Sequence, residues 1–543
     1  MKKSFWRETA WVYSPLLVCV VILLPRLLSA QFGFFDDAVT LTTARRIWAG
    51  QWSLGPDPNG RFRPAYWLFY ALLVRLFGEH PAWYFLTNLV LWLAITCGLI
   101  RLARGLGLGR GAAWMAGLTF VLSGPVLENV YTLSKPELPQ AVLMMLLLLA
   151  SGLYARPNSR PGKIALFLGM AVLAFLACTA KETGVLLAPA ALFSVLASWA
   201  ASRSTRQPGG QPPKPRLVLL WSSLIGVAFY SILSYLIVRK NPLAGQSGFL
   251  QYSRSWLIGQ ARLMLGWLRR DYLYLLPVGL VALPAALRKE NRAKLFLVVE
   301  LLGWLALWTG VYIPWRYYPE YYLLPAALAA ALLSGIAFTL VRPWLAGSRP
   351  RRALAWAGLA LSGLLLLLTL PSQVANGRLQ LAADRANADM LAYVVEHVPV
   401  KSAVWINIQT PNEYVDEFEL WLTQVRGRAD LQVDYYHDQD PAAVPTRGGQ
   451  VWIVTPFMEN QFYPSVRVGM DELSTREWGA SLEKDITGQG ETVAQIRESF
   501  RSSNLDPLRF FCPLARSLSY CQVPDAPLDQ RVFAYGWTIV RIP

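Results

Sequence analysis

Charged residues are scarce in this sequence. Asp, Glu, Lys and Arg make up 16% of the 543 residues, whereas 54% are hydrophobic. This composition, with a mean hydropathy of +0.33, excludes a large soluble enzyme and indicates a polytopic membrane protein with a soluble part. Acidic residues are fewer than basic residues. The net charge is +24 over residues 1–371 but −7 over residues 372–543. A basic membrane half with an acidic tail argues against nucleic-acid binding.

Cysteine and recognisable cofactor motifs are also scarce. Cys19, Cys97 and Cys178 lie in apolar runs, where a thiol is usually a small hydrophobic filler. Cys512 and Cys521 lie close together in the polar tail, and we predict a disulfide between them if the tail is extracytoplasmic. The tail contains no glycine-rich phosphate loop, no metal-ligand spacing and no tetratricopeptide period.

Long apolar runs predict about 11 membrane-spanning helices, if a short run and its successor count as one crossing. The first span has no secretory cleavage site after it and is predicted to be retained. The predicted spans are Val12–Ala30, Tyr66–Phe77 with Trp83–Ile100, Ala112–Leu127, Leu138–Tyr154, Ile164–Thr179, Gly184–Ala200, Leu217–Val238, Tyr272–Leu287, Leu295–Ile313, Tyr321–Val341 and Ala353–Leu370.

Basic loops alternate with acidic ones along these spans. Placing the basic loops inside predicts a cytoplasmic N-terminus in the cell membrane and an extracytoplasmic tail. Residues 1–371 would form the membrane domain and residues 372–543 a soluble α/β domain. Ser253–Arg270 is predicted to be an amphipathic helix on the outer surface; if it crossed, the tail would be cytoplasmic.

The tail shows the patterns of a small α/β domain. Helices are predicted at Asp384–His397 and Asp416–Val425, and strands at Ala403–Ile408, Gln450–Thr455 and Val532–Ile542.

The sequence Phe34-Phe35-Asp36-Asp37 follows the first span. Two carboxylates where the chain leaves the bilayer are poorly placed for packing and well placed for chemistry. The simplest alternative is that Asp36 caps the helix that follows, which accounts for one carboxylate.

Cations and further acids are predicted at the outer ends of other spans. Each has a structural alternative, as a solvated loop charge, a local ion pair or part of an aromatic belt. Together they predict an outer-leaflet pocket with acids and bases at its rim; they are Arg61, Arg63, Lys135, Glu137, Lys181, Glu182, Arg316 and Tyr317.

The order of these segments resembles the integral-membrane glycosyltransferases of the GT-C fold, in their protein O-mannosyltransferase-like branch. The resemblance spans residues 1–371, and Lys135-Pro136-Glu137 departs from the pattern that relatives show in the third outer loop. It is carried by Phe35-Asp36-Asp37, Arg61–Tyr66, Tyr84–Leu89, Phe120–Glu128, Ser134–Leu138, Lys181-Glu182 and Arg316-Tyr317-Tyr318.

The resemblance implies inverting transfer of a hexose or pentose from a polyprenyl-phosphate-linked donor to a hydroxyl of a protein, lipid or glycan. Asp36 would be the base, and Asp37 would orient the acceptor or share that task. Lys181, Arg316 and Arg63 would bind the phosphate, and Lys135 or Glu137 would lie near the sugar. We predict that no cofactor is required, and a divalent metal on the paired carboxylates is the open alternative.

Two other classes remain open. A transporter or flippase would place ionisable groups near the bilayer midplane and show paired broken helices in two halves. A non-catalytic membrane scaffold displaying the tail would leave the acids and cations of the loops without a role.

Overall fold

The computed structural model describes twelve parts of the chain. These are residues 10–34, 36–51, 55, 60–154, 159–204, 214–239, 252–315, 320–407, 411–436, 450–459, 490–501 and 532–542. Cys512, Cys521, Arg316 and Tyr317 lie outside the described residues.

The chain first forms a bundle of α-helices. Proline occupies the first turn of several of them, where its missing N–H has no helical partner to lose. The helices are α1 Pro15–Leu28, α2 Asp37–Trp48, α3 Pro64–Phe77, α4 Pro81–Gly105, α5 Arg110–Val121, α6 Gly124–Tyr131, α7 Glu137–Leu153, α8 Arg160–Ala180, α9 Leu187–Ser204, α10 Lys214–Val238, α11 Arg254–Tyr272, α12 Leu275–Ala286, α13 Arg292–Gly310, α14 Leu324–Leu345 and α15 Arg349–His397.

The described residues include eight helices that are long and apolar enough to span a membrane, with three shorter apolar helices beside them. The chain is therefore a polytopic α-helical membrane protein. The prediction of one span over Ala112–Leu127 is wrong, because the chain breaks after Val121 and a new helix begins at Gly124. Ser123-Gly124-Pro125 explains the break, since Pro125 cannot donate to a preceding helical turn.

Two further predictions concern helices near the ends of the membrane half. The segment Ser253–Arg270 is helical, as α11, and is not among the apolar helices. Helix α15 has 49 residues and runs without a break through residue 371. It contains both the predicted span Ala353–Leu370 and the predicted helix Asp384–His397, so one helix connects the membrane half to the tail.

The tail forms a mixed five-stranded sheet in the order β2-β1-β3-β5-β4. Strand β1 is parallel to β2 and β3, whereas β5 is antiparallel to β3 and β4. The strands are β1 Ala403–Ile406, β2 Gln432–Tyr435, β3 Val451–Glu459, β4 Glu491–Arg501 and β5 Val532–Ile542, with helix α16 Pro411–Glu419 and a π-helical segment Leu420–Val425 after β1. The three predicted strands are confirmed, and β2 and β4 were not predicted.

The sheet packs against loops at one end of the helical bundle. One hydrophobic cluster joins Phe34 and Tyr66 of the membrane half to Trp421 and Trp537 of the tail. The loop after α1, which contains the paired aspartates, therefore lies between the bundle and the sheet.

Candidate functional site

The two aspartates lie at the start of α2. Asp36 has a φ of +63°, a left-handed conformation that is costly for a residue with a side chain. Its carboxylate accepts no hydrogen bond from the helix that it precedes, so the capping alternative does not account for it. The buried Glu417 of α16 makes that contact instead, because its Oε2 accepts a hydrogen bond from the Val39 amide at 3.3 Å.

Asp36 forms an ion pair with Lys135. Lys135 Nζ lies 2.5 Å from Asp36 Oδ2, and the Lys135 side chain is 11% exposed whereas that of Asp36 is 48% exposed. Burial alone would lower the pKa of Lys135, but the Asp36 carboxylate outweighs burial and raises that pKa. The ammonium also lies 4.7 Å from the centre of the Tyr321 ring. Lys135 is therefore a fixed positive charge beside the first aspartate.

Asp37 is in a different environment, although it is the next residue. It is 1% exposed, and its Oδ2 accepts a hydrogen bond from the Gly33 amide at 2.6 Å. Its Oδ1 is buried and has no hydrogen-bond partner among the described residues. Burial raises the pKa of Asp37 to about 7. This carboxyl group can therefore exchange a proton near neutral pH, as a general base must.

Two ion pairs lie beside the aspartates, each joining distant segments. Lys181 pairs with Glu137, both fully buried, and its ammonium lies 3.3 Å from the centre of the Tyr322 ring. Arg63 binds Glu182 through two nitrogens, Nε to Oε2 and Nη2 to Oε1, each at 2.6 Å. We call these four charged residues the paired group.

Gly184 allows the two chain segments on either side of Lys181 to approach each other closely. A Cβ at this position would lie 2.7 Å from the backbone of Cys178. Only glycine therefore lets residues 182–186 fold back closely on the end of α8 and leave Lys181 at the turn. Arg61 is partly buried and near enough to Glu182 to interact with it electrostatically.

The structure thus brings together most of the residues predicted from the sequence. Tyr321 and Tyr322 connect the two parts, since one contacts Lys135, the other contacts Lys181, and their ring centres are 4.8 Å apart. Lys181 differs from the prediction in its accessibility, because Glu137 and the tyrosine rings enclose it completely.

Asp37 faces a cleft, and sequence analysis did not predict part of its lining. The walls of the cleft include Arg26 of α1, Lys135, Tyr321, and Asp384 and Asn387 of α15. Arg26 and Asp384 form a buried ion pair, and Gln380 donates a hydrogen bond to Asp384 Oδ1 at 2.9 Å. Burial raises the pKa of Asp384 despite this pairing.

One signal for this cleft was present in the sequence. Arg26 lies inside the first apolar run, and an ionisable residue in a membrane span usually has a functional role. Asp384, Asn387 and Glu417 carried no such signal, because they lie in segments typical of solvated helices.

The tail also contacts Phe34 in the loop after α1. Trp421 Nε1 donates a hydrogen bond to the Phe34 carbonyl at 3.1 Å. The Phe34 ring lies between Phe418 and Trp537, with ring centres 6.2 and 5.8 Å away. Residues on both sides of the aspartates are therefore positioned by the soluble part.

Within the described ranges, no three His, Cys, Asp or Glu side chains gather in a way that could hold a metal ion.

Comparisons with known proteins give a likeness of fold. No family model and no curated protein sequence matches this chain. Among solved structures, it is similar to ArnT from Cupriavidus metallidurans bound to undecaprenyl phosphate, with 12% identity, a TM-score of 0.48 and 98% of each chain covered.

The chain is also similar to two structures of the oligosaccharyltransferase of Archaeoglobus fulgidus. One is tethered to an acceptor peptide with the NVT sequon, at 14% identity and a TM-score of 0.47, with 79% of this chain covered. The other is AglB with an inhibitory peptide and a dolichol-phosphate, at 14% identity and a TM-score of 0.46, with 77% of this chain covered. This chain spans 64% of the length of that enzyme.

Proposed function

We propose that this protein is a glycosyltransferase of the cell membrane that moves a sugar from a polyprenyl-phosphate carrier to an acceptor hydroxyl. The observation that supports this most is Asp37, a buried carboxyl group with a pKa of about 7 and an unpartnered Oδ1, lining a cleft beside the Lys135 ammonium. A base and a fixed cation in one cleft are what displacement of a phosphate by a hydroxyl requires.

In this mechanism Asp37 is the base, rather than Asp36. Asp36 Oδ2 already accepts a hydrogen bond from Lys135 Nζ at 2.5 Å, whereas Asp37 Oδ1 has no hydrogen-bond partner among the described residues. Asp37 takes the acceptor proton as the acceptor oxygen forms a bond to the anomeric carbon. The bond from that carbon to the phosphate oxygen breaks, and the carrier phosphate leaves with both electrons. Attack opposite the phosphate inverts the anomeric centre.

The cations have two roles in the proposal. Lys135, held in place by Asp36, lies beside Asp37 and stabilises negative charge on the departing phosphate. Arg61, just before α3, adds positive charge on the side of the carrier, whereas Arg63 is held by Glu182. Arg316 and Tyr317 keep the phosphate-binding role that the resemblance implies. Lys181 and Glu137 hold α7 and the end of α8 together, as their complete burial favours.

The charge distribution supports the orientation. In the sequence the acids of the membrane half gather at one end of the spans, and in the structure the aspartates and the sheet lie together. We place this end outside the cytoplasm and the N-terminus inside.

The decisive experiment is transfer of radiolabelled sugar from a panel of polyprenyl-phosphate sugars in proteoliposomes. Asp37→Asn should reduce transfer by about 10²- to 10⁴-fold, the usual contribution of a general base. Asp36→Asn should reduce transfer by a smaller factor, since it breaks the ion pair with Lys135 without removing the base. Melting curves check that both variants fold, and NMR of the product checks inversion.

The outcomes separate the assignments. Full activity of Asp37→Asn with collapse of Asp36→Asn would return the base role to Asp36. A product with retained configuration would contradict direct displacement. Absence of transfer from every donor, combined with uptake of a sugar down its gradient, would favour the transporter.

We further propose that the reaction runs without a bound metal, because Lys135 supplies the positive charge beside Asp36. Treatment with EDTA should leave the transfer rate unchanged within a factor of about 2, well below the 10²-fold scale of a lost catalytic group. A loss that Mn²⁺ or Mg²⁺ restores would show that a metal is required.

A further inference from the structure

Two chain segments that meet at the first aspartate have a costly backbone conformation. Asp36 has a φ of +63° and Ser134 a φ of +54°, and among the described residues Lys401 is the only other one with a side chain and a positive φ. Such a conformation persists only where the surrounding structure holds it in place. Since Lys135 follows Ser134 and pairs with Asp36, one ion pair joins two strained segments.

Tyr66 of α3 connects these two segments through its hydroxyl group. The residue is 5% exposed, and its hydroxyl donates a hydrogen bond to the Ser134 carbonyl at 2.9 Å. A phenol has one proton to donate, so the Thr40 hydroxyl, 3.1 Å away, must donate to the Tyr66 oxygen. The Thr40 amide in turn donates to the Asp36 carbonyl at 3.0 Å.

These contacts close a circuit through three segments of the chain. It runs from Asp36 to Thr40 within α2, to Tyr66, to Ser134, and through Lys135 back to Asp36. We call it the Tyr66 circuit. Thr40, Tyr66 and Ser134 are all buried, and hydrogen bonds in a connected chain strengthen one another. Removing one member should therefore loosen the others.

Tyr70, one turn later in α3, adds a second and weaker restraint. Its hydroxyl donates to the Lys135 carbonyl at 3.4 Å, longer than the usual O–H···O distance of about 2.7 Å. Its ring packs against that of Tyr66, with the ring centres 4.9 Å apart. Tyr66 therefore makes the closer contact with the backbone beside the lysine.

We infer that Tyr66 is a positioning residue, which holds Ser134 in its left-handed conformation and so keeps the Lys135 ammonium beside Asp36. Without this hydrogen bond, Ser134 relaxes to a negative φ and turns the residue that follows it away from the aspartate. The inference rests on the proposed function for the part that Lys135 plays in sugar transfer. The position of Lys135 can be tested without transfer.

The first test is reductive methylation of the detergent-solubilised protein, with mass spectrometry of the peptide that contains Lys135. The reagent attacks neutral amines. Although burial opposes it, the Asp36 carboxylate raises the pKa of Lys135 and so protects this amine. Tyr66→Phe should accelerate methylation of Lys135 by about tenfold or more, the effect of each unit by which that pKa falls. The exposed Lys289 before α13 is the internal reference, and a melting curve checks folding.

Thr40 provides a second set of variants. Thr40→Val removes the hydroxyl that donates to Tyr66 and should also accelerate methylation of Lys135, by a smaller factor because Tyr66 keeps its own bond. Thr40→Ser keeps the hydroxyl and should react as wild type does. Thr42→Val is the matched control, because Thr42 is also buried in α2 but donates to the Ala38 carbonyl of the same helix.

Ser134→Gly tests whether Tyr66 acts by restraining a strained residue. Glycine adopts a positive φ at almost no cost, so the segment keeps its conformation without the Tyr66 hydroxyl. Tyr66→Phe should then accelerate methylation by less than about threefold in the Ser134→Gly protein. The comparison is made within each background, so any effect of losing the Ser134 side chain cancels. Equal acceleration in both backgrounds would overturn the inference.

Steady-state transfer measures the consequence for the reaction. Tyr66→Phe should lower kcat by about 10- to 100-fold, the scale of a displacement of about 1 Å in an active site. The KM for the lipid-linked donor should change by less than about twofold, because Lys135 acts on charge that develops in the transition state. Tyr84→Phe is the control, since its hydroxyl donates to the Gly78 carbonyl outside the Tyr66 circuit, and it should keep the wild-type kcat.

The outcomes separate this inference from the proposed function. If folded Tyr66→Phe is methylated at the wild-type rate, or transfers sugar with the wild-type kcat, the inference fails and the proposed function stands. If methylation changes as expected but wild type transfers no sugar from any donor, Tyr66 still positions Lys135 and the proposed function fails.

Discussion

The paired group and Asp37 lie in adjoining parts of one site and differ in how their charges are compensated. Arg63, Glu137, Lys181 and Glu182 each have an opposite charge in direct contact. Asp37 is equally buried and makes no ion pair within the described residues. Charges that compensate each other can position segments of the chain, whereas a buried carboxylate without a counter-ion is free to take up a proton. The difference separates residues that organise the site from one that can act in it.

Breaking the paired group should have the largest effect. Lys181→Met leaves Glu137 as a buried, uncompensated charge and should destabilise the protein by about 3–5 kcal/mol. Replacing both residues, by Lys181→Met with Glu137→Leu, should recover most of this loss. Thermal denaturation of the purified protein measures both. Arg541→Met, which breaks a pair whose side chains are 41% and 63% exposed, is the control and should cost less than about 1 kcal/mol.

The double variant also tests the role that the sequence predicted for Lys181. If it folds and transfers sugar normally, the pair is structural. If it folds but its KM for the lipid-linked donor rises tenfold or more, Lys181 binds the phosphate after all.

Protonation of Asp37 should be detectable in the pH dependence of the free energy of unfolding. Burial raises its pKa from 3.8 to about 7, so the folded state binds this proton more tightly than the unfolded state. The resulting stability is fully present below pH 3.8, declines as pH rises toward 7 and is lost above it. Asp37→Asn removes this dependence, so its melting temperature should exceed that of wild type by a few degrees more at pH 8 than at pH 5.

Asp430→Asn is the control for that measurement. Its hydrogen bonds with Arg428 lower the pKa of Asp430 to about 2, so it contributes stability above its unfolded pKa and loses it only as pH falls toward 2. The melting temperature of Asp430→Asn should differ from that of wild type by the same amount at pH 5 and at pH 8. An equally flat difference for Asp37→Asn would show that Asp37 is ionised throughout this range and would weaken its assignment as the base.

The parts of this molecule that sequence predicted are those governed by local composition. Apolar runs define spans because the bilayer requires them, and a carboxylate pair at the end of a span is conspicuous because charge is costly there. The break at Ser123 and strand β4 were missed, since each depends on neighbours that a single segment does not show. Arg26 was visible inside an apolar run and its significance was overlooked.

The other half of the cleft could not be predicted from individual segments of the sequence. Arg26 meets Asp384 across 358 residues of sequence, and Val39 meets Glu417 across 378. In isolation, Asp384 and Glu417 are acids of polar helices that would normally face water. They become part of the site because α15 continues beyond the membrane half and the sheet that follows it packs against the loop after α1.

Glu417 should give the smallest effect of the predicted variants, because it influences the aspartates only through the backbone of α2. Its Oε2 accepts the Val39 amide at 3.3 Å, and loss of a helix cap usually costs about 1 kcal/mol. Glu417→Ala should therefore lower kcat by about tenfold, corresponding to 1.4 kcal/mol, with little change in KM, as Asp37 loses its position. Glu417→Gln keeps an accepting oxygen and should retain nearly full activity.

The adjacent and exposed Asp416 provides the matched control, and Asp416→Ala should behave as wild type. Steady-state transfer kinetics on all three variants distinguish positioning from a role of charge. Equal losses in Glu417→Ala and Glu417→Gln would show that the carboxyl group itself takes part, because the two variants differ in the hydrogen bond to Val39 and share the loss of the acid. Rescue by Gln would instead show that the soluble part serves the reaction by holding the start of α2 in place.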